Sequence, residues 1–167
     1  ICTHFIETAI KDEGAFNTLY ADIVSRSDTI LRRIEQLKAL DGTETEDGVW
    51  KCGNFDGIKA QVAAIRTPAL AIRQKSDKNL DILRDLDRRY KVSKENAPYS
   101  AAAGEDGLRV AEAYASLQRS GELHRASSIP EHQRKTEPIV AQLQSLSAQV
   151  ETVCRFIPKG NDDTDSG

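Results

Sequence analysis

The sequence predicts an all-α fold, an elongated antiparallel helical bundle with two long heptad helices and a loop-rich end. Apolar residues recur at alternating steps of four and three in three separate segments, which is the spacing of helices that pack side by side. Only 5% of the 167 residues are aromatic, as in bundles built on Ile, Leu, Val and Ala. No series of short alternating segments with turn residues predicts a sheet.

The first predicted helix covers about residues 5–40. Its stripe follows the four-three spacing, and further apolar neighbours widen it, as a bundle helix needs. Charged and amide side chains occupy the opposite face. The stripe consists of Phe16, Tyr20, Ile23, Ser27, Ile30, Ile34 and Leu37.

The second predicted helix covers about residues 58–92 and keeps the same spacing. Pro68 removes one backbone hydrogen bond, so we expect a kink near Thr67 and not the end of the helix. Ser76 and Asn79 place polar groups on the stripe, which favours register control or a locally thinner core. The other members of the stripe are Ile58, Val62, Ile65, Ala69, Ile72, Leu83, Leu86 and Tyr90.

Two shorter helices complete the predicted bundle. Residues 96–98, Asn-Ala-Pro, end the second helix, and a weaker helix follows at about 108–117. Residues 128–131, Ser-Ile-Pro-Glu, form a capping-box pattern that starts the last helix. Pro158 ends that helix, whose stripe is Ile139, Leu143, Leu146, Val150, Val153 and Ile157.

The predicted domain organisation is simple. Residues 1–158 form one helical-bundle domain, and residues 159–167 form a flexible acidic tail without apolar side chains. The chain contains no Met, so we expect it to be processed from a longer product.

The three cysteines lack zinc-site spacing, and their odd number leaves the pairing open. If the four helices alternate in direction, Cys2 and Cys154 lie at one end of the bundle and Cys52 lies at the other. The candidate disulfide is therefore Cys2–Cys154, and the alternative is that both are small buried apolar residues. A disulfide would indicate an extracellular protein.

The connection between the long helices, residues 41–57, reads DGTETEDGVWKCGNFDG. Loops of this length in compact bundles are uncommon unless they have a function. Its acidic residues do not match an EF-hand, because the sixth position from Asp41 is Glu46 and the twelfth is Cys52. A weak divalent-ion site is the less favoured interpretation of these carboxylates, and a solvated turn is the favoured one.

Trp50 gives this loop two interpretations. Either the indole closes the end of the bundle with Val49 and Phe55 beside it, which we favour, or it anchors a contact with a partner. If the protein has a binding surface, this end is the first candidate. The candidate contact residues are Asp47, Val49, Trp50 and Phe55.

No motif predicts catalysis. His4, His124 and His132 lack metal-ligand or triad spacing, and we expect His124 and His132 on a wet polar face. No phosphate-binding glycine loop or nucleophile elbow is present. We therefore predict no enzyme activity, no catalytic residue, no cofactor and no metal site. The net charge of -3 argues against nucleic-acid and anionic-membrane partners.

The long antiparallel helices, the loop-rich end and the cysteines near the termini resemble the extended helical bundles of trypanosome surface glycoproteins. This group includes variant surface glycoproteins, alanine-rich coat proteins and the haptoglobin-haemoglobin receptor. Alanine is frequent here, as at 101–103, and the tail GNDDTDSG is similar to a spacer before a glycolipid anchor. The resemblance is one of architecture over most of the chain. It implies a membrane-anchored coat protein or receptor whose head faces outward.

The leading hypothesis is a non-enzymatic coat or receptor-like protein on the extracellular face of the cell. Its loop 41–57 would bind neighbouring surface molecules or a protein ligand. Homo-oligomer formation is compatible with this hypothesis. It would touch the membrane only through an anchor outside this segment. The alternative is a cytoplasmic coiled-coil scaffold or adaptor subunit of a multiprotein complex.

Overall fold

The computed structural model describes residues 3–160, so Cys2 and the tail from Asn161 lie outside the described residues. Within this range the chain forms four α-helices and one two-stranded antiparallel sheet. The helical fold class is thus confirmed in its coarse form. The elements are α1 (Thr3–Lys38), β1 (Gly48–Cys52), α2 (Asp56–Asn96), α3 (Ala101–Arg119), α4 (Ile129–Val150) and β2 (Cys154–Pro158), with a 3-10 turn at Ala126–Ser128 before α4.

Two predictions are wrong. The last helix is shorter than predicted, and the described part of the chain contains two strands where none was predicted. Helix α4 ends at Val150, and residues 154–158 form β2 instead of a further helical turn. Val153 and Ile157 continue the four-three spacing, but so short an apolar run fits a strand equally well. Pairing with β1 and a covalent link at Cys154 decide in favour of the strand.

Helices α2 and α3 extend beyond their predicted boundaries at both ends, whereas α1 begins and ends about two residues earlier than predicted. Pro68 lies inside α2, which continues past it as expected. Helix α3 starts before the predicted residue 108, at Ala101, where the Ser100 hydroxyl accepts a hydrogen bond from the Ala103 N–H at 3.3 Å. This N-cap and the helix-favouring alanines start α3 despite its two glycines.

The chain divides into two compact units. Unit 1 contains residues up to 21 together with 70–135, and unit 2 contains residues 22–69 together with those from 136 onward. In unit 1 the start of α1, the second part of α2 and α3 surround one apolar core. Its buried members are Ile6, Leu83, Leu86, Val110 and Tyr114.

The core of unit 2 lies between the second part of α1, the first part of α2 and the end of α4. Every residue of the stripe predicted for the first helix is buried. The stripe predicted for the second helix is less completely buried, because Ile72 in unit 1 is 37% exposed. The buried residues of unit 2 include Ile23, Ile30, Ile34, Leu37, Phe55, Val62, Leu143, Leu146 and Val150.

Candidate functional site

The segment between α1 and α2 is folded onto the sheet of unit 2. The Gly42 N–H donates to the Trp50 carbonyl at 2.8 Å, and the Trp50 N–H donates to the Thr43 carbonyl at 3.0 Å. The Thr45 N–H donates to the Gly48 carbonyl at 2.7 Å. Gly42 adopts a φ of 80°, a conformation that favours glycine. These bonds give the loop a defined backbone along the outer edge of β1.

The four predicted contact residues have different surroundings. Trp50 is half-buried, and its ring meets Phe156 of β2 edge to face, with the ring centroids 5.3 Å apart. Val49 is half-buried as well. Asp47 is exposed, and its carbonyl accepts a hydrogen bond from the Lys159 N–H at 2.7 Å. Phe55 is only 4% exposed and belongs to the core, so it offers no surface to a partner.

Strands β1 and β2 are also joined covalently. Cys52 and Cys154 are paired in the register of the sheet and form a disulfide with a sulfur–sulfur distance of 2.01 Å. The predicted partner of Cys154 was Cys2, and this is corrected: Cys154 is bonded to Cys52, while Cys2 lies outside the described residues.

The error came from the assumed path of the chain. We expected the four helices to alternate in direction between the two ends of the bundle, which would place Cys154 at the end opposite Cys52. Helices α3 and α4 have 19 and 22 residues, about half the 41 of α2. Helix α3 belongs to unit 1, whereas most of α4 belongs to unit 2. The end of α4 therefore delivers Cys154 to the unit that holds Cys52.

A second polar site, missed by the sequence analysis, surrounds Glu13 in unit 1. Glu13 is 0% exposed. Its carboxylate accepts hydrogen bonds from the Ser76 hydroxyl at 2.5 Å, from the His124 N–H at 2.9 Å and from His124 Nδ1 at 3.0 Å. Because a carboxylate only accepts, His124 carries its proton on Nδ1. A buried carboxylate with three donors needs no further partner.

Aromatic rings pack against the His124 ring of this cluster. The His124 ring stacks on Phe16, with centroids 3.4 Å apart and planes 3° from parallel. His132 of α4 meets Phe16 edge-on at 4.7 Å, and its centroid lies 5.6 Å from that of His124. Both histidines are half-buried, so their expected place on a wet polar face is wrong.

The electrostatic surroundings disfavour a charge on His132. Burial is the first cause that lowers its pKa, followed by repulsion from His124 and Lys135. Glu131 acts in the opposite direction. The ring is therefore more readily kept neutral than an exposed imidazole.

A cavity of about 670 Å³ lies beside the two histidines in unit 1. Helices α1 and α3, the connection 120–128 and the start of α4 form its walls. The walls combine apolar and polar side chains. They include Phe5, Ala9, Asp12, Tyr114, Gln118, Leu123, His124, Arg125, Ser128 and His132.

The stripe of α1 contained a signal for this cluster. Extending the four-three spacing back from Phe16 by three positions gives Glu13, a charged residue in a core position. Ser76 and Asn79 were recognised on the stripe of α2, and both are buried. The partners of these residues depend on tertiary packing, which the spacing does not specify.

Metal binding and membrane spanning find no support within residues 3–160. No group of three His, Cys, Asp or Glu side chains there is arranged to hold a metal ion. No helix in the same range combines the length and the apolar character required to cross a bilayer. Comparisons with known proteins gave no family model, no curated protein and no solved structure that matches the chain significantly.

Proposed function

We propose that the chain is a non-enzymatic extracellular protein of the cell surface, a coat or receptor-like protein that binds other proteins through the end formed by residues 41–57 and β2. The observation that carries this proposal is the Cys52–Cys154 disulfide. Structural disulfides form and persist in oxidising compartments and are rare in the cytosol.

The loop itself supports the binding part of the proposal. Asp41, Glu44, Glu46 and Asp47 are exposed beside the half-buried indole of Trp50. The backbone is held by hydrogen bonds and, through β1, by the disulfide. An aromatic side chain on a fixed backbone loses little conformational freedom when a partner binds. The acidic surroundings favour a partner with a basic surface.

The elongated shape remains part of the proposal. Helices α1 and α2 contain 36 and 41 residues, which corresponds to about 55–60 Å for straight helices. An elongated bundle of this kind would resemble the trypanosome surface glycoproteins, anchored to the membrane by a segment outside this sequence. Scattering in solution gives the maximum dimension of the particle and tests this point separately.

The location is tested by labelling intact source cells with a membrane-impermeant amine reagent. We expect the protein to be labelled before permeabilisation, because the proposal places its exposed lysines outside the cell. Labelling only after permeabilisation would contradict the proposal and favour the cytoplasmic scaffold subunit.

The binding end is tested on the same cells with the purified fluorescent chain. We expect Trp50→Ala combined with Asp47→Ala to reduce saturable binding about tenfold or more, the range of a contact hot spot. The control is Leu108→Ala, which removes a side chain 72% exposed on α3 and should leave binding unchanged. Equal binding of all three proteins would exclude the loop as the contact.

A further inference from the structure

Polar side chains of α1 and α2 attach residues 120–128, the connection between α3 and α4, to the rest of unit 1. His124 donates to the buried Glu13 carboxylate of α1 through its backbone N–H and through Nδ1. The Asn79 side chain of α2 donates to the Glu122 carbonyl at 3.2 Å. Glu13 and Asn79 are both buried, so the position of the connection depends on a small buried polar cluster.

His132 stands next to this attachment. It touches the same Phe16 ring that supports His124. The Tyr20 ring lies beside Phe16, and its centroid is 6.4 Å from that of His132. The His132 and His124 ring centroids are 5.6 Å apart. A positive charge on His132 is therefore disfavoured by its neighbour His124.

The charges around His132 come from three elements. Helix α1 contributes Glu13, which faces His124, and Asp12, which lines the cavity. The connection contributes Arg125, and α4 itself contributes Glu131 and Lys135. Helix α2 offers the neutral Ser76 and Asn79, and α3 offers the Tyr114 hydroxyl, whose pKa is raised mainly by burial. The Glu13 carboxylate already has three donors, so Glu131 is left as the main carboxylate that favours a charge on His132.

We propose that Glu13, Phe16, His124 and His132 form a proton-operated latch: uptake of a proton by His132 detaches residues 120–128 from α1 and opens the cavity of unit 1. The cavity responds because Leu123, His124 and Arg125 of the connection form one of its walls. The inference rests on the geometry of unit 1 and is independent of the function proposed for the loop of unit 2.

The direction of the pH effect follows from linkage. The folded form of His132 has a lowered pKa, so the detached form binds the proton more tightly. The attached state is fully stable above the ordinary histidine pKa of about 6.5 and loses stability as the pH falls through the lowered value. Acidification therefore opens the latch.

Hydrogen exchange measured by mass spectrometry tests the latch. Protection factors for the backbone amides of 120–128 are compared at about pH 7.5 and about pH 5, after correction for the intrinsic exchange rate. We expect the amides of 120–128 to lose protection on acidification, because the detached form binds the proton more tightly. The core amides of α3 should keep their protection.

Two variants identify the responsible histidine. His132→Phe keeps a ring against Phe16 but binds no proton, so the acid-induced loss of protection should disappear. The matched control is His4→Phe, which removes an exposed histidine of α1 and should behave like the original chain. The latch is overturned if the original chain keeps its protection at the lower pH, or if His132→Phe loses it to the same extent.

A measurement on the unaltered chain covers the case in which His132→Phe does not fold. The ring signals of the histidines and the amide signals of 120–128 are followed together by nuclear magnetic resonance during a pH titration. We expect the amides and the His132 ring to share one midpoint, below about 6.5. Amides that do not shift, or that follow a different midpoint, would exclude His132 as the proton sensor.

Discussion

At the scale of the residue, Gly48 shows how closely β1 and β2 approach. A Cβ atom added at this position would lie 2.1 Å from the Ile157 carbonyl oxygen and 2.8 Å from the ring of Phe156. The carbonyl belongs to the backbone of β2, so no side-chain rotation relieves the overlap. Glycine is required here by space and not by an unusual backbone angle.

We therefore expect Gly48→Ala to lower the free energy of unfolding by at least about 2 kcal/mol, within the range of overpacked sites. Urea unfolding monitored by Trp50 fluorescence measures this, because the indole lies in the same strand. The control is Gly57→Ala in the first turn of α2, where a Cβ meets nothing within 4 Å. That variant should be as stable as the original chain or up to about 1 kcal/mol more stable. Equal effects of the two substitutions would contradict the close approach.

Glu13 is the second residue whose surroundings make a strong prediction. In Glu13→Gln an amide N–H₂ group replaces one carboxylate oxygen and faces the donors Ser76 and His124. We expect a loss of about 2–3 kcal/mol in the free energy of unfolding, because buried donors to a charged group lose their acceptor. The measurement is urea unfolding at neutral pH.

Glu35→Gln provides the comparison for Glu13. Glu35 is 62% exposed and forms ion pairs with Lys38 and Lys59, which contribute little at the surface. We expect its stability to change by less than about 0.5 kcal/mol. A small effect at both positions would mean that Glu13 is not held as the structure indicates.

At the scale of the element, helices α2 and α3 approach closely at one point. A Cβ added at Gly107 would lie 2.4 Å from the Ser93 hydroxyl oxygen. That hydroxyl donates to the Ala103 carbonyl at 2.5 Å. The contact explains why α3 carries a glycine in its interior, where glycine otherwise costs stability.

Gly107→Ala should displace the Ser93 hydroxyl and cost about 1–2 kcal/mol. In the double variant with Ser93→Ala the added methyl meets only the Cβ atom of residue 93, at 3.4 Å. The double variant should therefore lose less stability than the sum of the two single variants. The four unfolding free energies form a double-mutant cycle. Strict additivity would show that the two residues do not interact.

The elements also show which features the sequence specifies. The stripe of α1 was predicted residue by residue, because burial on one helix face repeats with the helical period. The strands were missed because each has five residues, too few for a period to be recognised. Trp50 and its loop were recognised from composition, whereas the contacts of Glu13 with Ser76 and His124 join three distant segments and have no local pattern.

At the scale of the whole molecule, the disulfide has the widest effect. Cys52 and Cys154 are separated by 102 positions, so the bond closes a loop that includes all of α2, α3 and α4. The chain-entropy model assigns about 4.7 kcal/mol to a loop of roughly 100 residues. The pairing error in the sequence analysis also belongs to this scale, because it depended on the path of the chain and not on any local signal.

We expect the double variant Cys52→Ala, Cys154→Ala to lose about 2–5 kcal/mol of stability. Thermal unfolding without reductant measures the change. Cys2→Ala retains the bridge and should keep the original transition temperature, whereas adding reductant to it should reproduce the double variant. A Cys2→Ala variant as unstable as the double variant would assign the stabilising bond to Cys2.

The measurement that tests the account most directly is a thiol count and disulfide map of the protein isolated from its own cells. Thiols are blocked at lysis, and the denatured, unreduced chain is digested and analysed by mass spectrometry. We expect Cys52 and Cys154 in one linked peptide pair and Cys2 outside that pair. Three blocked thiols on every molecule would contradict the extracellular location on which the proposed function depends.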